Sequence, residues 1–127
     1  MEPRIFRAAE AAPYVTKDES LIVEIFHPAT VPGVPYSVAE ATVPPGGRTV
    51  PHRHEHSLET YYVLEGEGVL LVGGGRTTLA RGDGALLPPG TRHAVEAGPG
   101  GMRFLCLCFP PYDHDQTTLE EGDTTGR

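Results

Sequence analysis

The sequence predicts an all-β fold, an antiparallel sandwich or barrel with little or no helix. Its 127 residues include 16 glycines and 13 prolines, well above the roughly 12 per cent of residues that these two types usually supply. These turn formers separate about nine short apolar or alternating segments, a pattern typical of antiparallel sandwiches and barrels. A helix is favoured only in the alanine-rich stretch 7–12, which Pro13 closes after about one turn.

The predicted strands follow one another at short intervals along the chain. Prolines and glycines at 44–47 form one predicted turn, and three glycines at 73–75 form another, because glycine adopts positive φ angles without strain. The glycine-containing stretches 66–68 and 98–101 are also predicted to end strands. The nine predicted strands are 21–26, 36–43, 48–54, 59–64, 69–72, 76–80, 85–87, 93–97 and 102–109.

The length predicts one domain with one core, 1–127. We expect a core barrel over about 20–110, an N-terminal arm over 1–19 and a polar C-terminal tail over 111–127. The last part of the tail, from Gln116, is rich in Gly, Thr and Glu, and we expect it to fray unless it docks on a partner subunit.

Charge and hydropathy exclude several classes of partner. The formal net charge is −7 and the arginines are scattered, whereas a nucleic-acid-binding domain usually carries a basic face. We find no apolar run long enough to span a bilayer and no signal peptide at the start. The sequence therefore predicts a cytoplasmic protein with no nucleic-acid or membrane partner.

The two cysteines, Cys106 and Cys108, are two residues apart in one predicted strand. Such neighbours share a face but have poor geometry for a mutual disulfide. We expect reduced thiols in the core. The alternative is that one of them is a ligand or an oxidation-sensitive thiol near a pocket.

The most informative stretch is 46–66, which places His52, His54, His56 and Glu59 within eight residues. Imidazole nitrogens and a carboxylate oxygen suit a first-row divalent metal. Because strand side chains alternate between faces, His52 and His54 point the same way, and parity alone would also allow His56. If the strand after Glu59 pairs antiparallel with the histidine strand, Glu59 returns over the imidazoles. His93 is the candidate for one more ligand.

The spacing of these residues resembles that of a known family, the cupins. Two motifs stand in the family's order with fifteen residues between them. Ala97 stands where the family has Asn, which affects a turn and no ligand. The resemblance covers about 36–109 and is closest to small single-domain bacterial members of the conserved-barrel type. The matching residues are Gly46, His52, His54, Glu59 and Gly66 in the first motif, and Gly82, Pro88, Gly90 and His93 in the second.

The resemblance implies a jelly-roll barrel, also called a double-stranded β-helix, with a metal inside. Carried over by position, the ligands are His52, His54, Glu59 and His93, and His56 becomes a solvated or neighbouring residue. The cofactor implied is one divalent transition metal ion, namely Fe, Mn, Ni, Zn or Cu. Small cupins also form homodimers through sheet faces and swapped N-terminal strands, so we expect a homodimer here.

The function expected from this set is a metal-dependent enzyme of oxygenase type that acts on a small molecule. Tyr61 and His56 are the candidate catalytic side chains, since each could exchange a proton near the metal. A mainly apolar lining, expected from strand parity, favours an aromatic or small carbonyl compound over a free sugar. The alternatives are a metal-assisted isomerase, lyase or cyclase, and a non-catalytic small-molecule binder whose metal is structural.

Overall fold

The computed structural model describes residues 1–120 and confirms the all-β prediction. The backbone forms one curled antiparallel sheet, and helical structure in this part of the chain is confined to two 3₁₀ turns, Ala8–Glu10 and His114–Gln116. No helix within 1–120 is long and apolar enough to cross a membrane. The strands are β1 Tyr14–Val15, β2 Leu21–Phe26, β3 Ser37–Val43, β4 His52–His54, β5 Leu58–Val72, β6 Gly75–Ala80, β7 Gly84–Leu87, β8 His93–Phe109 and β9 Thr117–Leu119.

Two long strands, β5 and β8, hold the barrel together. One path of pairing runs β1-β2-β3-β8-β4-β9, and β5 pairs with β6, β7 and β8. The two strands pair antiparallel along almost their whole length. The first half of β5 pairs with the second half of β8, where Leu58 lies opposite Phe109, and the second half of β5 pairs with the first half of β8, where Val72 lies opposite His93. Each long strand therefore contributes to both walls of the barrel.

The predicted strand ends at 66–68 and 98–101 are wrong, because the glycines there bend the strands without ending them. Strand β5 is 15 residues long and β8 is 17. Their register shifts between Val63 and Glu65 and again between Gly66 and Gly68. Gly66 and Gly101, at φ 76° and 80°, occupy the left-handed region that favours glycine. The two bends face each other, and such bulges are typical where a strand turns between sheets.

The predicted pairing between the histidine strand and the strand of Glu59 is also wrong. Only His52–His54 of the predicted strand 48–54 is extended, with Arg48 in an isolated bridge. Strand β4 pairs with β8 and β9, while Glu59 lies between Leu87 and Cys108. The connection after β4 crosses the barrel and does not form a hairpin, so the histidines and Glu59 face each other from two walls.

The C-terminal tail is more ordered than predicted. Thr117–Leu119 forms β9 and pairs with β4 along its whole length, so the expectation of fraying is wrong there. Arg53 on the outer face of β4 forms an ion pair with Glu120 at 2.8 Å, and Glu120 N donates to the Pro51 carbonyl. The rest of the predicted tail, 121–127, lies outside the described residues.

The core fills the interior between the two walls. Alternation along β5 places Glu59, Tyr61 and Val63 inside, each less than 5 % exposed. The Tyr61 and Phe104 rings pack with their centroids 4.7 Å apart. The buried apolar cluster is Ile22, Ala41, Val43, Tyr61, Val63, Leu70, Leu79, Leu87, Val95, Ala97, Met102 and Phe104.

The paired bends provide a test of this architecture. A Cβ on Gly66 would lie 2.1 Å from the Gly101 carbonyl oxygen, and the positive φ adds strain. We expect Gly66→Ala to lower the free energy of unfolding by roughly 2–4 kcal/mol in urea titrations. Gly74→Ala is the control, because a Cβ there meets nothing within 4 Å. Equal stability of the two variants would contradict the proposed bend.

Candidate metal centre

The structure gathers four side chains of the predicted ligand set inside the barrel. His52 and His54 come from β4, Glu59 from β5 and His93 from β8. All four are buried, with 2 to 6 % of each residue exposed. One potential ligand atom from each lies within 4.8 Å of those of the other three. This buried cluster could therefore hold one metal ion.

Backbone carbonyls orient two of the imidazoles. His52 Nδ1 lies 2.9 Å from the Val50 carbonyl oxygen, and His93 Nδ1 lies 2.9 Å from that of Thr91. Because a carbonyl oxygen only accepts, each Nδ1 must carry the hydrogen and donate it outwards. In the neutral rings, each Nε2 then presents its lone pair to the centre, as a metal ligand must.

A hydroxyl on β9 orients the third imidazole. His54 Nδ1 lies 3.0 Å from Thr117 Oγ1, and that hydroxyl donates its own hydrogen to the Asp113 carbonyl at 2.9 Å. The hydroxyl is thereby left to accept from His54 Nδ1. All three imidazoles consequently direct Nε2 inwards. Thr117 was not predicted, because nothing in its local sequence shows that the tail pairs with β4.

Glu59 supplies the negative charge of the centre. Its Oε1 atom lies 3.2 Å from both His54 Nε2 and His93 Nε2. This oxygen is buried and receives no hydrogen bond when both imidazoles are neutral, a costly arrangement. The other oxygen, Oε2, accepts from the Cys108 thiol at 3.4 Å. Three imidazole lone pairs around an unsatisfied carboxylate oxygen fit one divalent transition metal ion.

The pKa values of the candidate ligands show how burial and neighbouring charges act on their protonation. Burial, with the charge of His93, lowers the pKa of His52 to about 4, against the opposing charge of Asp18. Burial also lowers the pKa of His54, but the hydrogen bond and charge of Glu59 outweigh it and leave a raised pKa. Burial opposes ionisation of Glu59, and the hydrogen bonds of His54 and His93 overcome it, so this pKa is lowered. The charge of Glu59 therefore favours a cation beside His54, and a divalent metal ion would compete with a proton for that position.

A cavity of about 60 Å³ adjoins the centre, with room for a few water molecules or the reacting end of a small ligand. The lining is mainly apolar, as predicted, and includes Ile22, Ala39 and Phe104. The predicted N-terminal arm adds polar side chains to this lining, among them Lys17 and Asp18. The polar lining residues from this part of the chain are Tyr14, Thr16, Lys17, Asp18, Ser20 and Glu24.

Two segments remote in sequence meet over this cavity. Lys17 Nζ donates to the carbonyl oxygens of His114 and Thr117 at 2.9 and 2.8 Å. The hydroxyls of Thr16 and Tyr112 lie 3.2 Å apart. The N-terminal arm thus holds the segment that carries Thr117 in place.

The two predicted catalytic side chains occupy very different positions. Tyr61 lines the cavity, is 3 % exposed, and places its hydroxyl 3.0 Å from His93 Nε2. Burial, assisted by the charge of Glu59, raises the pKa of Tyr61 well above its usual value. The phenol therefore stays protonated and can donate a hydrogen bond. His56 is exposed in the turn after β4 and does not line the cavity, so no contact supports a catalytic role for it.

Both cysteines are free and line the cavity on the inner face of β8. Burial raises the pKa of each thiol, and the charge of Glu59 adds to the effect. They are therefore neutral thiols, and Cys108 steadies Glu59 by donating to it. Neither belongs to the four-residue cluster.

Asp18 is the functional candidate that the sequence analysis missed. It is 8 % exposed and lines the cavity, and its Oδ2 atom lies 3.5 Å from His52 Nε2. Its Oδ1 atom accepts from the Ser20 amide at 3.0 Å and the Ser20 hydroxyl at 2.6 Å. The pattern Asp-x-Ser is the local signal for such a turn, but only the folded barrel brings the turn to the histidines.

Comparisons with known proteins agree with the fold. The model of the family described as "Cupin domain" matches residues 39–108. An uncharacterized protein of Methanocaldococcus jannaschii is 42% identical over 110 residues, which is 86% of this chain and 88% of that protein. An oxalate-binding protein of Thermotoga maritima is 34% identical over 70 residues, 54% of this chain and 58% of that protein.

A similar solved structure is that of a predicted oxalate decarboxylase from Thermotoga maritima. It superposes with a TM-score of 0.73 at 25% identity and covers 84% of this chain and 99% of that one. The barrel and its curled sheet are therefore shared across nearly the whole of that smaller structure.

The hydroxyl of Thr117 provides a test of the ligand orientation. We expect Thr117→Val to weaken binding of Mn²⁺ or Co²⁺ about 10- to 100-fold in calorimetric titrations, because His54 loses the partner that fixes its tautomer. Thr117→Ser should restore binding. Thr118→Val is the matched control on the other face of β9, since Thr118 bonds Glu55 and not a ligand. Unchanged affinity in Thr117→Val would contradict the orienting role.

Proposed function

This chain belongs to the cupin family, and from that premise we propose that it is a metal-dependent enzyme of oxygenase type acting on a small molecule. The observation that carries the proposal is the buried centre of three inward-facing imidazoles and one carboxylate beside a cavity. Four protein ligands leave two positions of an octahedral ion for other ligands. A purely structural site would be expected to be closed by protein ligands.

Each side chain of the centre has a proposed role. His52, His54, His93 and Glu59 would hold a divalent ion such as Fe, Mn, Ni, Zn or Cu. When bound, the ion supplies Lewis acidity and, if it is iron, manganese, nickel or copper, the capacity to react with dioxygen. The protonated Tyr61 phenol, beside His93, would donate a hydrogen bond to a reacting oxygen of the substrate.

Two other candidate functions share this centre. A metal-assisted isomerase, lyase or cyclase would use the Lewis acid without consuming dioxygen. A non-catalytic ligand binder is favoured by the similarity to an oxalate-binding protein of Thermotoga maritima. Oxygen uptake separates the first alternative from an oxygenase, and turnover of any kind separates both enzymes from a binder.

We also propose a homodimer formed through the outer face of the sheet. Strand alternation places apolar side chains on this face, and the register sets Leu58 opposite Phe109. Contiguous exposed apolar patches of this kind usually mark an interaction surface. Strands β1 and β2 pair within their own barrel, which leaves the sheet face as the contact we favour. The exposed apolar residues are Leu58, Tyr62, Leu86, Leu107 and Phe109, at 39 to 63 %.

A cytoplasmic location is part of the same proposal. Its support is the pair of free, neutral thiols Cys106 and Cys108 beside the centre. Reducing compartments preserve such thiols.

Substitution of a proposed metal-binding side chain should abolish activity without unfolding the protein. We expect His52→Ala and Glu59→Ala to lose the metal and all turnover in oxygen-uptake and product assays, while circular dichroism still reports a folded barrel. Tyr61→Phe should keep the metal but lower kcat about 10- to 100-fold, because only the hydroxyl is removed. Unfolding in step with metal loss would identify a structural ion. Full metal occupancy with no turnover on any small-molecule panel would favour the binder.

The dimer can be tested by sedimentation velocity. We expect the wild-type chain to sediment at twice the mass of one chain, and Leu86→Glu to sediment as a monomer, because the charge would be buried against the second copy. Val72→Glu is the control, since Val72 is exposed but lies at the far end of β5. A wild-type monomer at micromolar concentration would rule out the proposed face as a stable interface.

A further inference from the structure

The second carboxylate beside the centre, Asp18, has one oxygen committed and one oxygen available. Oδ1 receives two hydrogen bonds from Ser20, one from the amide and one from the hydroxyl. Oδ2 receives no hydrogen bond from the described residues 1–120, and it lies 3.5 Å from His52 Nε2 at the edge of the cavity that Asp18 lines. The two bonds from Ser20 therefore fix the position of the Asp18 carboxylate. Its Oδ2 atom is left as the acceptor for a ligand group beside His52.

Asp18 Oδ2 favours ligands that can donate a hydrogen bond to it. His52 Nδ1 already donates to the Val50 carbonyl, so Nε2 in the neutral ring carries no hydrogen for Oδ2. A ligand group that lies between the ion and Asp18 must then bring its own O–H or N–H. An aprotic anionic oxygen placed there would face a second anionic oxygen, which is unfavourable in a buried site.

The formal charges of the residues that line the cavity also disfavour a dianionic ligand. Among its described lining residues, Lys17 is basic, and Asp18, Glu24 and Glu59 are acidic. A divalent cation brings this sum to zero before any ligand enters. Lys17 also donates two hydrogen bonds to the carbonyl oxygens of His114 and Thr117, which leaves its ammonium group one hydrogen for a ligand. A dianionic ligand would therefore leave a net charge of −2 in a buried space.

We propose that Asp18 is a specificity-determining residue that admits small, neutral or singly charged ligands bearing a hydroxyl group, such as hydroxy acids and hydroxy ketones, and disfavours dianions such as oxalate. This inference rests on the proposed metal centre and narrows its substrate class. It also separates this chain from the Thermotoga maritima relatives whose names refer to oxalate.

A matched pair of ligands tests the inference. Glycolate and oxalate are of similar size and form the same five-membered chelate, but only glycolate carries a hydroxyl and only oxalate carries two negative charges. The probe is the Co²⁺-loaded chain, followed by its visible absorption, with each affinity divided by that for Co²⁺ in buffer. We expect this ratio to favour glycolate over oxalate by about tenfold or more, as one charge-assisted hydrogen bond allows.

The variant Asp18→Asn identifies the residue responsible. Its Oδ1 atom can still accept from Ser20, so the turn is kept, while the amide removes the charge and offers a donor to the cavity. We expect the preference to fall at least tenfold or to reverse. Glu67→Gln is the control, because it makes the same charge change at an exposed position outside the cavity lining and should leave the preference unchanged.

The possible failures can be told apart. If the wild-type chain does not take up Co²⁺, the proposed metal centre itself fails. If it takes up Co²⁺ but prefers oxalate, or if Asp18→Asn shows the wild-type preference while remaining folded and loaded with Co²⁺, the metal centre stands and the role of Asp18 is overturned.

Discussion

The centre depends on one buried carboxylate oxygen, Glu59 Oε1, which receives no hydrogen bond from the described residues while the surrounding imidazoles are neutral. Two imidazole nitrogens lie 3.2 Å from it, and the hydrogens of these rings are directed away by Thr91 and Thr117. Burying such a group costs several kcal/mol unless a proton or a cation compensates. A divalent ion satisfies the carboxylate and three imidazoles at once, and this requirement explains why polar side chains occupy the middle of a β barrel.

The rest of the barrel can be understood as support for that arrangement. The glycine bends in β5 and β8 let two strands serve both walls, which brings Glu59 across from β4. The C-terminal β9 pairs with β4 and supplies Thr117, while the N-terminal arm supplies Lys17 and Asp18. Segments before β2 and after β8 thereby support the centre, although the four candidate ligands lie on β4, β5 and β8.

Strand alternation and turn residues in the sequence predicted the fold class, and the resemblance of two motifs to those of the cupins implied the ligand set. His52, His54, Glu59 and His93 meet as expected. The pairing of β4 with β9, and the approach of Asp18, depend on contacts between residues more than 30 positions apart that leave no local signal. The glycine stretches do not reveal whether the chain turns or bulges, because a glycine adopts positive φ equally well in both. Strand alternation assigns a side chain to a face only while the strand continues. Because β4 ends at His54, alternation does not apply to His56.

The central claim is that these four side chains bind one divalent transition metal ion. Elemental analysis of the chain purified without added metal, combined with X-ray absorption at the edge of the metal found, tests it most directly. The account predicts about one ion per chain, with nitrogen and oxygen neighbours from imidazoles and a carboxylate and no sulfur neighbour. A folded chain that holds no transition metal and takes none up, or an ion ligated by Cys106 or Cys108, would contradict it.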